Sequence, residues 1–150
     1  MTVSGDPEHL TEPLKSFESI PHYTNICIYY IKGLYELKSK FEDVGPENCF
    51  ISEITLAELK FGVAKSQAKK KNQQALENFL TGIQILPIFP ALDIYASEKA
   101  RLQKSGKIID DFDLLIGVTA VSFGLVMVTN NTNHFIRIKD VKLEDWTSEA

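Results

Sequence analysis

The stretch from Ile109 to Val128 constrains this chain more than any other. Three carboxylates, Asp110, Asp111 and Asp113, fall within four residues. Behind them Leu114-Leu115-Ile116-Gly117-Val118-Thr119-Ala120 opens an apolar run that continues to Phe123. Gly124 stops it, and Leu125-Val126-Met127-Val128 follows as an unbroken aliphatic block. The pattern predicts a loop, a helix opened by acids, a glycine stop and a strand buried on both faces. Such a unit belongs to an α/β fold with parallel strands. It also sets carboxylates at a helix N-terminus, beside the sheet edge where ligand sites of open α/β folds lie.

The rest of the chain points to the same class. Asn25 caps a predicted helix carrying Ile26, Ile28, Tyr29, Tyr30, Ile31 and Leu34, continued by Lys38 to Phe41. Val44-Gly45-Pro46-Glu47-Asn48 reads as a turn and Cys49-Phe50-Ile51 as a short buried strand. A helix capped by Ser52 or Thr55 follows, with Ile54, Leu59 and Val63 on its apolar side. The next helix is basic at its start (Lys65, Lys69, Lys70, Lys71) and carries Leu76, Phe79, Leu80 and Ile83 at helical spacing. Ile83 to Phe89 reads as a strand whose Pro87 marks an edge or an end. Pro90 opens another helix, through Ala91, Ile94, Tyr95, Ala100 and Leu102, which Gly106 closes. Asn130 to Phe135 is a polar loop at the carboxyl end of the buried strand. Ile136, Ile138, Val141, Leu143 and Trp146 form a last short strand and its anchor. Strands alternating with helices predict an α/β sandwich around a mostly parallel sheet.

A chain of 150 residues is the size of one domain. Residues 1–22 hold three of the six prolines and few aliphatics, and read as an atypical N-terminal segment, a flexible tail or a loosely docked element. The domain proper is expected over 23–150. A net charge of −4 gives no global attraction for a polyanion, so a nucleic-acid partner needs a local basic patch. Lys65 and Lys69 to Lys71 are the candidate, with a solvated helix face as the alternative. Two cysteines, Cys27 and Cys49, are too few for a disulfide framework or a zinc cluster and fit a reducing cytosol. No apolar run reaches membrane-spanning length, and prolines and acids stand where a signal peptide needs basic and apolar residues. The expected location is cytoplasmic.

The acids carry the candidate chemistry. Acids at a helix N-terminus cap it and complement its dipole, and one suffices for a cap. Three together repel unless water, a base or a cation offsets them, and hard divalent ions take carboxylate oxygens. Glu58 reads either as the capping-box partner of Thr55 or as a functional acid. His134, in the loop after the buried strand, reads as a ligand, a phosphate contact or a plain surface residue.

These segments also form an ordered set: Thr24-Asn25-Ile26-Cys27-Ile28, Ser52-x-x-Thr55-Leu56-Ala57-Glu58-Leu59-x-x-Gly62, Asp113-Leu114-Leu115-Ile116-Gly117, Val128-Thr129-Asn130-Asn131 and Leu143-x-Asp145-Trp146. The set resembles the PIN-domain ribonucleases, and among them the VapC toxins of bacterial toxin–antitoxin pairs, over Tyr23 to Trp146. The resemblance implies a PIN-like (Rossmann-like) three-layer α/β/α sandwich and a cluster of acids holding Mg²⁺ or Mn²⁺. It implies hydrolysis of RNA phosphodiesters, a cognate antitoxin covering the site, and a homodimer. Carried over by position, Glu58 and Asp113 become catalytic and metal-binding, with Asp111 as a further candidate metal ligand. Asn25, Thr129, Asn131 and His134 become the RNA-facing wall.

One departure stands out. The family opens on an apolar strand ending Leu-Asp-Thr-Asn, and that Asp is a metal ligand. Here Tyr23 stands in its place, and Ser19-Ile20-Pro21-His22 before it lacks the character of a central parallel strand. The first strand and the first acid are therefore expected to be lost or replaced, with activity impaired. The alternative is a catalytically silent PIN-like module that binds an antitoxin or a sister subunit. A nucleotide-binding α/β domain is disfavoured by the lack of a Gly-rich phosphate loop.

Overall fold

A five-stranded sheet organises the computed structural model, which describes residues 2–3, 30 and 34–147. The strands are β1 (Thr2–Val3), β2 (Cys49–Ser52), β3 (Gln84–Leu86), β4 (Val126–Val128) and β5 (Lys142–Glu144), in the spatial order β3-β2-β1-β4-β5. β2 pairs in parallel with β3, and β4 with β5. Parallel neighbours need crossovers, and helices supply them: α2 (Glu53–Lys65) and α3 (Lys69–Leu80) between β2 and β3, and the short α6 (Thr132–Phe135) between β4 and β5. Helices α4 (Leu92–Lys104) and α5 (Asp111–Ser122) link β3 to β4, and α1 (Leu37–Val44) precedes β2. The expected α/β architecture with a mostly parallel sheet is therefore observed.

The patterns that predicted the elements also place them. All three residues of β4 are buried, as its unbroken aliphatic sequence requires of a strand covered on both faces. β3 exposes Gln84 and Ile85 and lies at a sheet edge, and Pro87 directly follows its last residue. Helix α5 buries Leu114, Ile116, Gly117, Val118, Thr119 and Ala120, so it runs through the core rather than over it. Around it lie Leu37, Ile51, Leu102, Met127, Phe135 and Ile138, all essentially inaccessible. Gly124 takes the left-handed conformation (φ 65°) that closes α5 and turns the chain into β4.

Several expectations are corrected. The segment Lys38 to Phe41 does not extend the preceding helix: Tyr35 (φ 58°) and Glu36 (φ 54°) adopt left-handed backbone, and α1 starts afresh at Leu37. The earlier helix itself lies outside the described residues except at Tyr30, which is helical and stacks at a tilt on Phe41 and Phe79. Ile83 falls beyond the end of α3. The polar loop after β4 contains a helical turn, α6.

The centre of the sheet departs most. β1 lies between β2 and β4 and runs antiparallel to both, with Thr2 opposite Phe50 and Met127 and Val3 opposite Cys49 and Val126. Two β-branched-rich residues, suited to a pleated ladder, hold the slot where a parallel first strand was expected.

Candidate active site

The site is built on the chain leaving the carboxyl ends of β2 and β4. At the end of β2, Ser52 is the N-cap of α2: its Oγ accepts the Thr55 N–H at 3.0 Å, and its hydroxyl also donates to Thr55 Oγ1 at 3.2 Å. Both side chains are fully buried. Thr55 thus lies inside the helix, and Glu58, two turns in, has no capping role. Its half-buried carboxyl is held above the usual carboxylate range, by burial first and by the Asp110 charge second.

The three aspartates at the head of α5 divide into three roles. Asp110 is the N-cap, its Oδ2 accepting the Phe112 N–H at 3.2 Å. Asp111 faces α4: its Oδ1 accepts from the Tyr95 hydroxyl at 2.7 Å and from Lys99 Nζ at 2.8 Å. The Lys99 partner holds its carboxyl below the usual value. Asp113 turns inward and is 3% exposed. Its Oδ2 lies 3.0 Å from His134 Nε2, while Oδ1 is buried with no hydrogen-bond partner among the described residues. Burial, then the charges of Asp110 and Glu58, push this carboxyl up to about 8.

The loop after β4 delivers His134. Thr129 is fully buried; its N–H donates to the Glu144 carbonyl and its Oγ1 accepts the Asn131 N–H at 3.0 Å. Asn131 is the N-cap of α6 and its carbonyl accepts from the N–H groups of His134 and Phe135. Phe135 is fully buried and meets the His134 ring edge-on at 5.1 Å, which fixes the imidazole against Asp113. Asn130 Oδ1 is a second buried acceptor without a partner among the described residues.

Of the residues expected at the site, Asp113 and His134 are in contact, Glu58 acts on Asp113 through its charge, and Thr129 and Asn131 shape the loop that holds His134. Asp111 is drawn off to α4. Asn25 and Tyr23 lie outside the described residues. Asp110 had no separate signal, being one of three adjacent acids that only tertiary packing distinguishes, and Asn130 was legible only as a member of its loop motif. Lys69 and Lys70 line a groove with Val63, Gln73, Gln74 and Glu77 between α2 and α3, and Lys65 lies over the Phe61 ring.

Glu58 and Asp113 offer hard oxygen donors beside an acceptor that lacks a partner, and this donor chemistry fits a hard divalent cation. As the side chains lie, no three His, Cys, Asp or Glu among the described residues are grouped closely enough to hold an ion. Among those residues no helix is long and apolar enough to cross a membrane.

Residues 24–141 match the family described as PIN domain. The chain is 38% identical to ribonuclease VapC2 of Rickettsia felis over 126 residues, covering 82% of this chain and 94% of the relative. It is 36% identical to the tRNA(fMet)-specific endonuclease VapC of Shigella flexneri, covering 83% and 95%. Among solved structures it is similar to the VapBC2 complex of Rickettsia felis bound to a promoter DNA fragment, with a TM-score of 0.76 and 37% identity over 82% of this chain and 95% of that one. FitAcB of Neisseria gonorrhoeae superposes with a TM-score of 0.64 and 30% identity over 72% and 82%.

Proposed function

Because this chain belongs to the PIN-domain family and, within it, to the VapC ribonucleases, we propose that it is a metal-dependent endoribonuclease, the toxin of a type II toxin–antitoxin pair acting in the cytoplasm. In this reading Glu58 and Asp113 hold Mg²⁺ or Mn²⁺, and the domain proper spans 23–150 with Thr2–Val3 joined to its sheet. One observation carries the site assignment: the buried Oδ1 of Asp113, partnerless among the described residues, on a carboxyl that feels the Glu58 charge. An unmade hydrogen bond on a buried acceptor costs about 1–3 kcal/mol, and such costs gather where a ligand later satisfies the group.

A divalent ion bound there supplies positive charge to the attacked phosphate. The chain's own residues do the rest. Glu58 and Asp113 would hold the ion through carboxylate oxygens, Asp113 in its ionised form. His134 fixes the Asp113 rotamer through Oδ2 and, with Thr129, Asn131 and Asn25, walls the cleft taken by RNA. Lys65 and Lys69 to Lys71 attract the RNA backbone. A structured RNA such as tRNA is the first substrate to test, since the Shigella flexneri relative is named for one. The VapBC complex of Rickettsia felis supports a cognate antitoxin as protein partner, and a homodimer completes the assembly.

A second reading, the silent antitoxin-binding module, is favoured by one observation. β1 runs antiparallel, so it does not present its carboxyl end where the resemblance puts an acid, and Tyr23 occupies that position in the sequence. Cleavage of a tRNA pool in Mn²⁺ separates the two. The expected result is cutting by the parent chain, abolished by EDTA and by Asp113→Asn. Cutting that persists in Asp113→Asn overturns the site assignment. A folded parent that is inert together with Tyr23→Asp establishes the silent module.

A further inference from the structure

We propose that Asp110 supplies the third carboxylate of the cation site, taking the part that Tyr23 leaves unfilled; the proposal rests on the reading of Glu58 and Asp113 as cation ligands. Asp110 is the N-cap of α5 and Asp113 stands three residues on, and side chains at those two positions of a helix lie beside each other. Helix α2, which carries Glu58, packs against α5. The charge of Asp110 is accordingly felt at both Glu58 and Asp113.

A separate observation points to a ligand at this spot. Asp113 is 3% exposed, its Oδ2 is held by His134 at 3.0 Å, and its Oδ1 has no partner among the described residues. That oxygen is a fixed, buried acceptor. Its two acidic neighbours have room to adjust: Asp110 is exposed and caps the Phe112 N–H through Oδ2, which leaves its Oδ1 to turn toward a ligand, and Glu58 is half-buried and has other staggered rotamers. The three carboxylates do not surround an ion as they lie. Closure is thus a rotamer change in two side chains around one anchored oxygen. Asp111, the adjacent acid, is unsuited, since its Oδ1 is engaged by Tyr95 and Lys99.

The test is Mn²⁺ binding by the full chain, followed by titration calorimetry. Asp110→Asn keeps a capping oxygen for the Phe112 N–H while removing the charge, and Asp110→Ser caps equally well. Both are expected to weaken Mn²⁺ binding by about tenfold or more, with the melting temperature in EDTA unchanged or raised. Asp111→Asn is expected to bind Mn²⁺ as the parent does. Parental affinity in Asp110→Asn, with binding lost in Asp113→Asn, overturns the role of Asp110 and leaves the cation site standing. Unchanged binding in Asp113→Asn, or no Mn²⁺ binding by the parent, overturns both. Weakened binding in Asp110→Asn but not in the equally stable Asp110→Ser also overturns the proposal.

Discussion

His134 Nε2 and Asp113 Oδ2 stand 3.0 Å apart, and that contact fixes a carboxyl whose other oxygen is buried without a partner among the described residues. Burial pushes Asp113 from an ordinary value of 3.8 up to about 8. Between those limits the metal-free native state holds a proton that the unfolded chain has released. Linkage then requires stability to fall as pH rises through that window. Asp113→Asn replaces the group with a neutral near-isostere. In EDTA its melting temperature should exceed the parent's, with a gap that widens from about pH 5 to about pH 8. A gap that ignores pH, or a less stable variant throughout, would contradict the desolvation argument.

Gly117 tests how tightly the site helix is packed. It lies in the buried middle of α5, and a Cβ built there would collide with Ile138 Cδ1. Ile138 is itself 2% exposed, so its side chain can give way only within the core. Gly117→Ala gains helix propensity, but overpacking of a closed core costs about 1–3 kcal/mol and outweighs it. Urea denaturation should show the loss. Gly117→Ala combined with Ile138→Val should recover part of it, and a double variant no better than the single one would point away from that contact.

What the sequence made legible follows from period and punctuation. The α5–β4 unit was readable because an apolar run, Gly124 and an aliphatic block each give a local signal. Glu58 and Asp113 were readable as members of an ordered set. The division of labour among Asp110, Asp111 and Asp113 was not, because it is decided by Tyr95 and Lys99, 16 and 12 residues upstream of Asp111. Ser52 and Thr55 were equivalent as caps until the register of α2 was known. β1 was invisible for a simpler reason: two residues carry no periodicity, and Thr2–Val3 became a strand only through what β2 and β4 offer on either side.

Glu98 ties the middle of α4 to the chain before β5. It is 6% exposed, accepts from Arg101 through both oxygens at 2.8 and 2.7 Å, and accepts the Lys139 N–H at 3.0 Å. The Arg101 hydrogen bonds hold its carboxyl below the ordinary 4.5. The stabilisation is therefore present above that value and lost as pH falls through the lowered one. Glu98→Gln should lose about 1–2 kcal/mol near neutrality, the size of a charge-assisted hydrogen bond. The difference from the parent should close in acid, below the ordinary carboxylate range. A deficit that persists unchanged in acid would assign it to packing instead.

The ladder around β1 supports a last prediction. In an antiparallel pair the N–H and C=O of a residue point to the same side, and successive residues point to opposite sides. On an edge strand a proline finds a harmless orientation. β1 has a partner on each side, so the N–H of Val3 faces either β2 or β4. Val3→Pro removes that donor and leaves an acceptor unmatched in the centre of the sheet, at a cost of about 1–3 kcal/mol. Val3→Thr keeps both the N–H and the β-branched shape and serves as the control. Hydrogen exchange at Cys49, Phe50, Val126 and Met127 locates the effect: it should accelerate in Val3→Pro and stay parental in Val3→Thr. Exchange unaltered by the proline would mean that β2 and β4 are held without β1, and that the antiparallel strand is a guest in the sheet rather than one of its supports.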